Sequence, residues 1–128
     1  MKLKVTLYLN FSVLRDDFRL MPMDTKVSEG DTAVLKCLPP RGTPRPIVRW
    51  TRNGEPVVVD GDRVTVSEGG NLVIRDAAKS DDGGEYVCQA INIVGSRDSE
   101  PATLQVQGKI CILCWPKKRG QRLRESRF

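Results

Sequence analysis

Four cysteines and no histidine limit what chemistry this chain of 128 residues can perform. Cys111 and Cys114 form a C-x-x-C pair, a spacing that elsewhere serves zinc or thiol–disulfide exchange. Zinc needs two further ligands, which the chain does not offer, and a redox pair needs a strand–helix–strand context that is missing here. Asp81, Asp82 and Glu85 could suggest calcium, but they are not spaced as a loop of oxygen ligands and read more simply as turn residues. Neither a nucleophile elbow, nor a Gly-rich phosphate loop, nor a carboxylate pair in a cleft motif occurs. The expectation is therefore a protein without catalytic residues, metal or cofactor, in which sulfur has a structural task.

Cys37 and Cys88 carry that task. Trp50 follows the first cysteine by thirteen residues, and Tyr86 precedes the second by two. Cys…Trp…Cys at this spacing is the signature of an immunoglobulin sandwich, in which the two cysteines point inward from facing sheets and the indole packs on the sulfurs. Four cysteines allow three pairings, and the signature assigns Cys37 to Cys88. A bridge there closes a loop of about 50 residues and stabilises the fold by about 4 kcal/mol in the loop-entropy model. It also implies an oxidising, extracellular setting. Tyr86 shares the inward side with Cys88, so its hydroxyl can reach back to the backbone near Asp82 as a tyrosine corner, while Gly84 suits a turn needing a permissive backbone.

Strands must position these groups, and the alternation of apolar residues predicts about eight short ones with no helical periodicity. Ala33, Leu35 and Cys37 face inward from one strand. The loop over residues 38–46 holds four prolines and Gly42, so it is stiff and cannot continue a central strand. Val48 and Trp50 face inward from the next strand, leaving Arg49 and Thr51 outward. Asn53-Gly54 is a two-residue hairpin turn that returns the chain along residues 55–59. Val64 and Val66, then Leu72 and Ile74, line two more strands. A polar stretch over 77–81 precedes the strand at 85–90, Gly95 takes a left-handed position in the following hairpin, and the last strand runs over about 102–106. Near the start, residues 25–27 read as a strand that switches sheets.

Three divisions follow. Residues 1–13 alternate as a strand or as the stub of a preceding domain; a signal peptide fits less well, because Thr6, Asn10 and Ser12 interrupt the apolar run and no small-residue cleavage site follows. Asn10 begins a glycosylation sequon, Asn10-Phe11-Ser12. Residues 14–107 form the domain, opened by a charged connector with apolar anchors at Leu14 and Phe18 that is a plausible exposed packing surface for a neighbour. Residues 108–128 form a tail expected to be disordered and basic. Charge divides the same way: residues 1–108 carry 14 Lys and Arg against 15 Asp and Glu, and residues 109–128 carry seven against one. A specific nucleic-acid interface is not expected, since the positive charge has no folded platform behind it. The apolar run 110–115 is far short of the roughly 20 residues that cross a bilayer.

Residues 13–106 resemble an I-set immunoglobulin domain, and in particular the second immunoglobulin domain of the Roundabout axon-guidance receptors. The likeness rests on Leu14-Arg15-Asp16-Asp17-Phe18-Arg19, on Pro39-Pro40-Arg41-Gly42 after the first cysteine, on Gly69-Gly70-Asn71-Leu72, and on Asn92-Ile93-Val94-Gly95-Ser96-Arg97 after the second. It implies a Greek-key β-sandwich at the cell surface, in a single-pass receptor, or secreted if the chain is complete. It further implies adjacent immunoglobulin domains as neighbours, a Slit-like protein ligand bound chiefly through a first domain that this chain lacks, and heparan sulfate as an assisting partner. A different I-set protein, of cell adhesion or of a muscle scaffold, is the alternative. Arg41, Arg45 and Arg49 are the candidate glycan-binding residues, because guanidinium donates paired hydrogen bonds to sulfate. Arg63 and Asp82 resemble the ion pair of this superfamily that joins the start of one strand to the turn before the second cysteine.

Overall fold

Alternation decides which side chains meet. In β3 (Ala33–Leu35), β8 (Leu72–Ile74) and the long β9 (Gly84–Asn92) every second residue is buried, and the inward set, Ala33, Leu35, Leu72, Ile74, Tyr86, Cys88 and Ala90, is at most 1% exposed. The computed structural model describes residues 12–108 and arranges these strands as an all-β sandwich of the immunoglobulin type. The proposed strand over 2–9, the Asn10 sequon, the Cys111 and Cys114 pair and the basic tail lie outside the described residues.

One sheet runs in the order β2 (Thr25–Ser28), β11 (Ala102–Gln107), β9, β5 (Ile47–Arg52), β6 (Glu55–Pro56), with β10 (Gly95–Asp98) also on β9. The facing sheet runs β3, β8, β7 (Val64–Val66). Leu20 makes an isolated antiparallel bridge to Leu38, three residues beyond β3, and the chain then lies parallel to β11 as β2. The strand expected at residues 25–27 is thus found as β2, an edge of the larger sheet. A third, two-stranded pairing joins β1 (Val13–Leu14) to β4 (Gly42–Thr43) at one pole of the sandwich.

Asn53 and Gly54 take φ values of 51° and 84°, and Arg52 pairs with Glu55 across them, as a two-residue turn with positive φ at both positions requires. Four details differ from the sequence expectation. The paired strand after the turn is short: beyond Pro56 only the Val57 amide still donates to β5, to the Trp50 carbonyl at 3.0 Å, and Val58 and Val59 lie outside the sheet and are exposed. The polar stretch closes into one helical turn, α1 (Lys79–Asp82). The last strand comes in two pieces, β10 and β11, because Ser99 turns its amide and hydroxyl onto Cys88 between them. Gly95 keeps a positive φ, 158°, which L side chains rarely adopt, but it sits at the start of β10 and not inside the turn.

Candidate functional site

Two constellations carry this domain, one at its centre and one at a pole. At the centre Cys37 and Cys88 are joined as a disulfide with Cα atoms 6.5 Å apart. Trp50 pairs in register with Cys88 across β5 and β9, which places the indole beside the sulfurs, and its Nε1–H donates to the Gly70 carbonyl at 2.9 Å. Gly70 has φ 112°, and a Cβ there would stand 2.8 Å from the Cys37 carbonyl oxygen, so the indole's partner has to be glycine. The cysteine backbone is held as well: the Cys37 amide donates to Asn71 Oδ1 at 3.0 Å and the Cys88 amide to Ser99 Oγ at 3.0 Å. Sequence reading missed Gly70, Asn71 and Ser99 as supports of the bridge. Only the turn signal Gly69-Gly70-Asn71 hinted at two of them.

Below the bridge the Tyr86 hydroxyl donates to the Asp82 carbonyl at 2.5 Å, and burial pushes the phenol up to about 12. The Asp82 carboxylate, on α1, accepts from Arg63 Nη1 at 2.8 Å and Nη2 at 3.1 Å, and from the Ala78 amide at 2.7 Å. Burial works against its charge, but the guanidinium and the amide outweigh burial and hold the carboxyl below its usual value. The same contact raises the Arg63 guanidinium further. Gly84 is the residue on which this corner closes: φ is 147°, and a Cβ would stand 2.8 Å from the Asn53 side chain, whose Oδ1 accepts from the Glu85 amide at 2.9 Å. All of these contacts are structural in kind, and none presents an unoccupied reactive group.

The pole is different. Arg41 and Arg45, on the proline loop, share a concavity of about 350 Å³ with Arg15 and Arg19, all four exposed. Arg15 is brought there by its amide, which donates to the Arg41 carbonyl at 2.9 Å, and Arg19 by its Nε, which donates to the Pro39 carbonyl at 2.8 Å. Neither ion pair among the described residues uses these arginines. Arg49 does not join them. It points outward from β5 opposite Gln89, on the face of the larger sheet. Three arginines selected for one loop and one strand thus resolve into two from that selection, plus two from the leading segment that sequence reading passed over. Nothing in the spacing linked Arg15 to Arg41; the pairing of β1 with β4 does.

One expectation about the leading segment is corrected. Leu14 is 5% exposed and Phe18 packs against the core cluster, so both turn into their own domain and are not an exposed apolar surface for a neighbour.

Comparison with known proteins completes the description. The family described as "Immunoglobulin I-set domain" matches residues 16–106. Roundabout homolog 1 of Homo sapiens is 46% identical over 98 residues, which cover 77% of this chain and 6% of that protein. The chain therefore spans a small fraction of the receptor it matches. Among solved structures, the N-terminal Ig1-2 module of the Drosophila receptor protein tyrosine phosphatase DLAR superposes with a TM-score of 0.65 at 27% identity, covering 76% of this chain and 46% of that one. A chimeric titin Z1Z2 superposes with a TM-score of 0.67 at 27% identity, covering 77% of this chain and all of that one.

Proposed function

The chain belongs to the immunoglobulin I-set family, and from that premise we propose that it is an extracellular recognition module of a Roundabout-like axon-guidance receptor, working by contact and not by chemistry. The observation that carries the reading is the 46% identity to Roundabout homolog 1 over 98 residues, which takes in the bridge, the indole and the arginine-bearing loop together. In such a receptor the module stands in a single-pass protein at the cell surface, next to other immunoglobulin domains. A Slit-like ligand is engaged mainly by the neighbouring first domain. This module supports that contact by holding heparan sulfate across Arg15, Arg19, Arg41 and Arg45, where four exposed guanidinium groups face one concavity.

Retention on immobilised heparin under a rising salt gradient tests the glycan part. A chain carrying Arg15→Gln, Arg41→Gln and Arg45→Gln elutes at lower salt than the parent, because each anion contact removed reduces the number of counterions released. Arg49→Gln, on the sheet face, elutes with the parent. Equal elution of the triple variant and the parent would assign all retention to the basic tail and remove heparan sulfate from the proposal.

The titin likeness supports a second reading, an I-set module of a muscle scaffold or of another adhesion protein. In a muscle protein Cys37 and Cys88 stay reduced in the cytosol. Counting free thiols without reductant, on protein recovered from the cell type that makes it, separates the two.

A further inference from the structure

The segment by which the chain enters the sandwich is held from two sides. From one side, Val13 and Leu14 pair with Thr43 and Gly42 of the proline loop, and the Arg15 amide donates to Arg41. From the other, Asn92 at the end of β9 donates through Nδ2 to the Val13 carbonyl and to the Pro44 carbonyl, both at 2.9 Å. Arg97 on β10 donates through Nη2 to the Leu14 carbonyl at 3.1 Å and through Nε to Asp16 Oδ1 at 2.8 Å. Gly42 permits the approach: a Cβ there would stand 2.9 Å from the Val13 carbonyl oxygen and 3.2 Å from both Asn92 Nδ2 and Leu14 Cδ1. Leu14 is buried beneath these contacts, Phe18 is packed on the core, and Arg19 and Leu20 donate to Leu38, so the chain is fastened on both sides of the exposed Asp16-Asp17 pair.

We propose that this segment is a rigid coupling and not a hinge, so that an immunoglobulin domain joined upstream pivots no nearer than Ser12 and leaves the sandwich in a direction set by Asn92, Arg97 and Gly42. The identity of the coupled partner rests on the receptor reading above; the rigidity does not. A linker usually absorbs bending where backbone hydrogen bonds are few and apolar contacts sparse. Here both are dense, and the pivot is displaced upstream. Because Arg15 lies on the coupling itself, its backbone is held beside that of Arg41 before any anion arrives, which spares the backbone part of the ordering cost on binding.

Amide ¹⁵N relaxation and hydrogen exchange on the full 128-residue chain test the coupling without any ligand. The order parameters of residues 13–16 are expected to equal those of β5 and β9, at about 0.85. Asn92→Ala, which removes the two bonds to Val13 and Pro44 together with the turn bond from the Val94 amide, and separately Arg97→Ala, are expected to lower them toward about 0.6 while β5 and the body of β9 stay unchanged. Arg15 amide exchange is expected to accelerate about tenfold in either variant. Order parameters already below about 0.6 in the parent, or unmoved in both variants, would overturn the proposal. Failure of heparin retention with the order parameters intact would remove the glycan reading and leave the coupling standing.

Discussion

The centre and the pole of this domain are both built from contacts between residues far apart in sequence, yet only the centre announces itself. Cys37, Trp50, Tyr86 and Cys88 are residue types that rarely substitute for one another, because a covalent bridge, a large indole and a buried phenol each have one geometry that satisfies them. The pole is built from backbone carbonyls, one amide side chain, one glycine and several arginines, all of which are ordinary on a surface. Chemistry of low redundancy leaves a signature in the sequence, and chemistry of high redundancy leaves its mark only in the fold.

The sharpest way to separate the two regions is to remove the bridge. Replacing both cysteines, Cys37→Ala with Cys88→Ala, should cost about 4 kcal/mol for a loop of this length, read as a lower midpoint in denaturant unfolding with the pole lost along with the centre. A pole that stayed protected against exchange while the centre unfolded would show that the two are independent.

Asp82→Asn comes next, at about 2 kcal/mol, since it leaves Arg63 without its partner while the half-exposed guanidinium recovers part of the loss from water. The Asp82 carboxyl lies lower in the folded chain than in the unfolded one. Its stabilisation is therefore present above the unfolded value near pH 4 and is lost as the pH falls through the folded value. Tyr86 runs the other way: its folded value is raised to about 12, so its contribution is whole below the unfolded value near 10 and is lost as the pH rises toward 12. Thermal midpoints across both limits should show two separate losses, with Asp82→Asn shrinking the acid one, of which Asp60 keeps a share, and changing the alkaline one only slightly, since burial is the main cause there.

The smallest effect belongs to the arginines at the pole. Arg41→Gln with Arg45→Gln should move stability by less than about 0.5 kcal/mol, because both side chains are exposed and neither enters an ion pair among the described residues. A destabilisation as large as that of Asp82→Asn would mean that the pole's arginines hold the fold together and are not free to bind.

How far each element was legible follows from the range of the interaction that fixes it. The two-residue turn at Asn53-Gly54 was readable because positive φ at adjacent positions restricts the residues allowed there. The helical turn at Lys79–Asp82 was not, because four residues show no periodicity and the turn is held by the Asp82 carboxylate accepting from Ala78 and Arg63. The need for glycine at position 95 was readable and its place was not: φ stays positive, but the turn before it is closed by Asn92 Oδ1 accepting from the Val94 amide, which puts Gly95 at the start of β10.

By itself the sequence determined the two-layer architecture, the partner of each bridging cysteine and the inward face of the core strands that carry Leu35, Trp50, Val64, Leu72 and Tyr86, since alternation and a covalent signature are local facts. Only the tertiary structure decided that Arg15 and Arg19 stand with Arg41 and Arg45 while Arg49 stands apart, and that Asn92 and Arg97 fasten residues 13–16. Those placements depend on which loops the two sheets bring to one end of the sandwich, and no spacing along the chain records that.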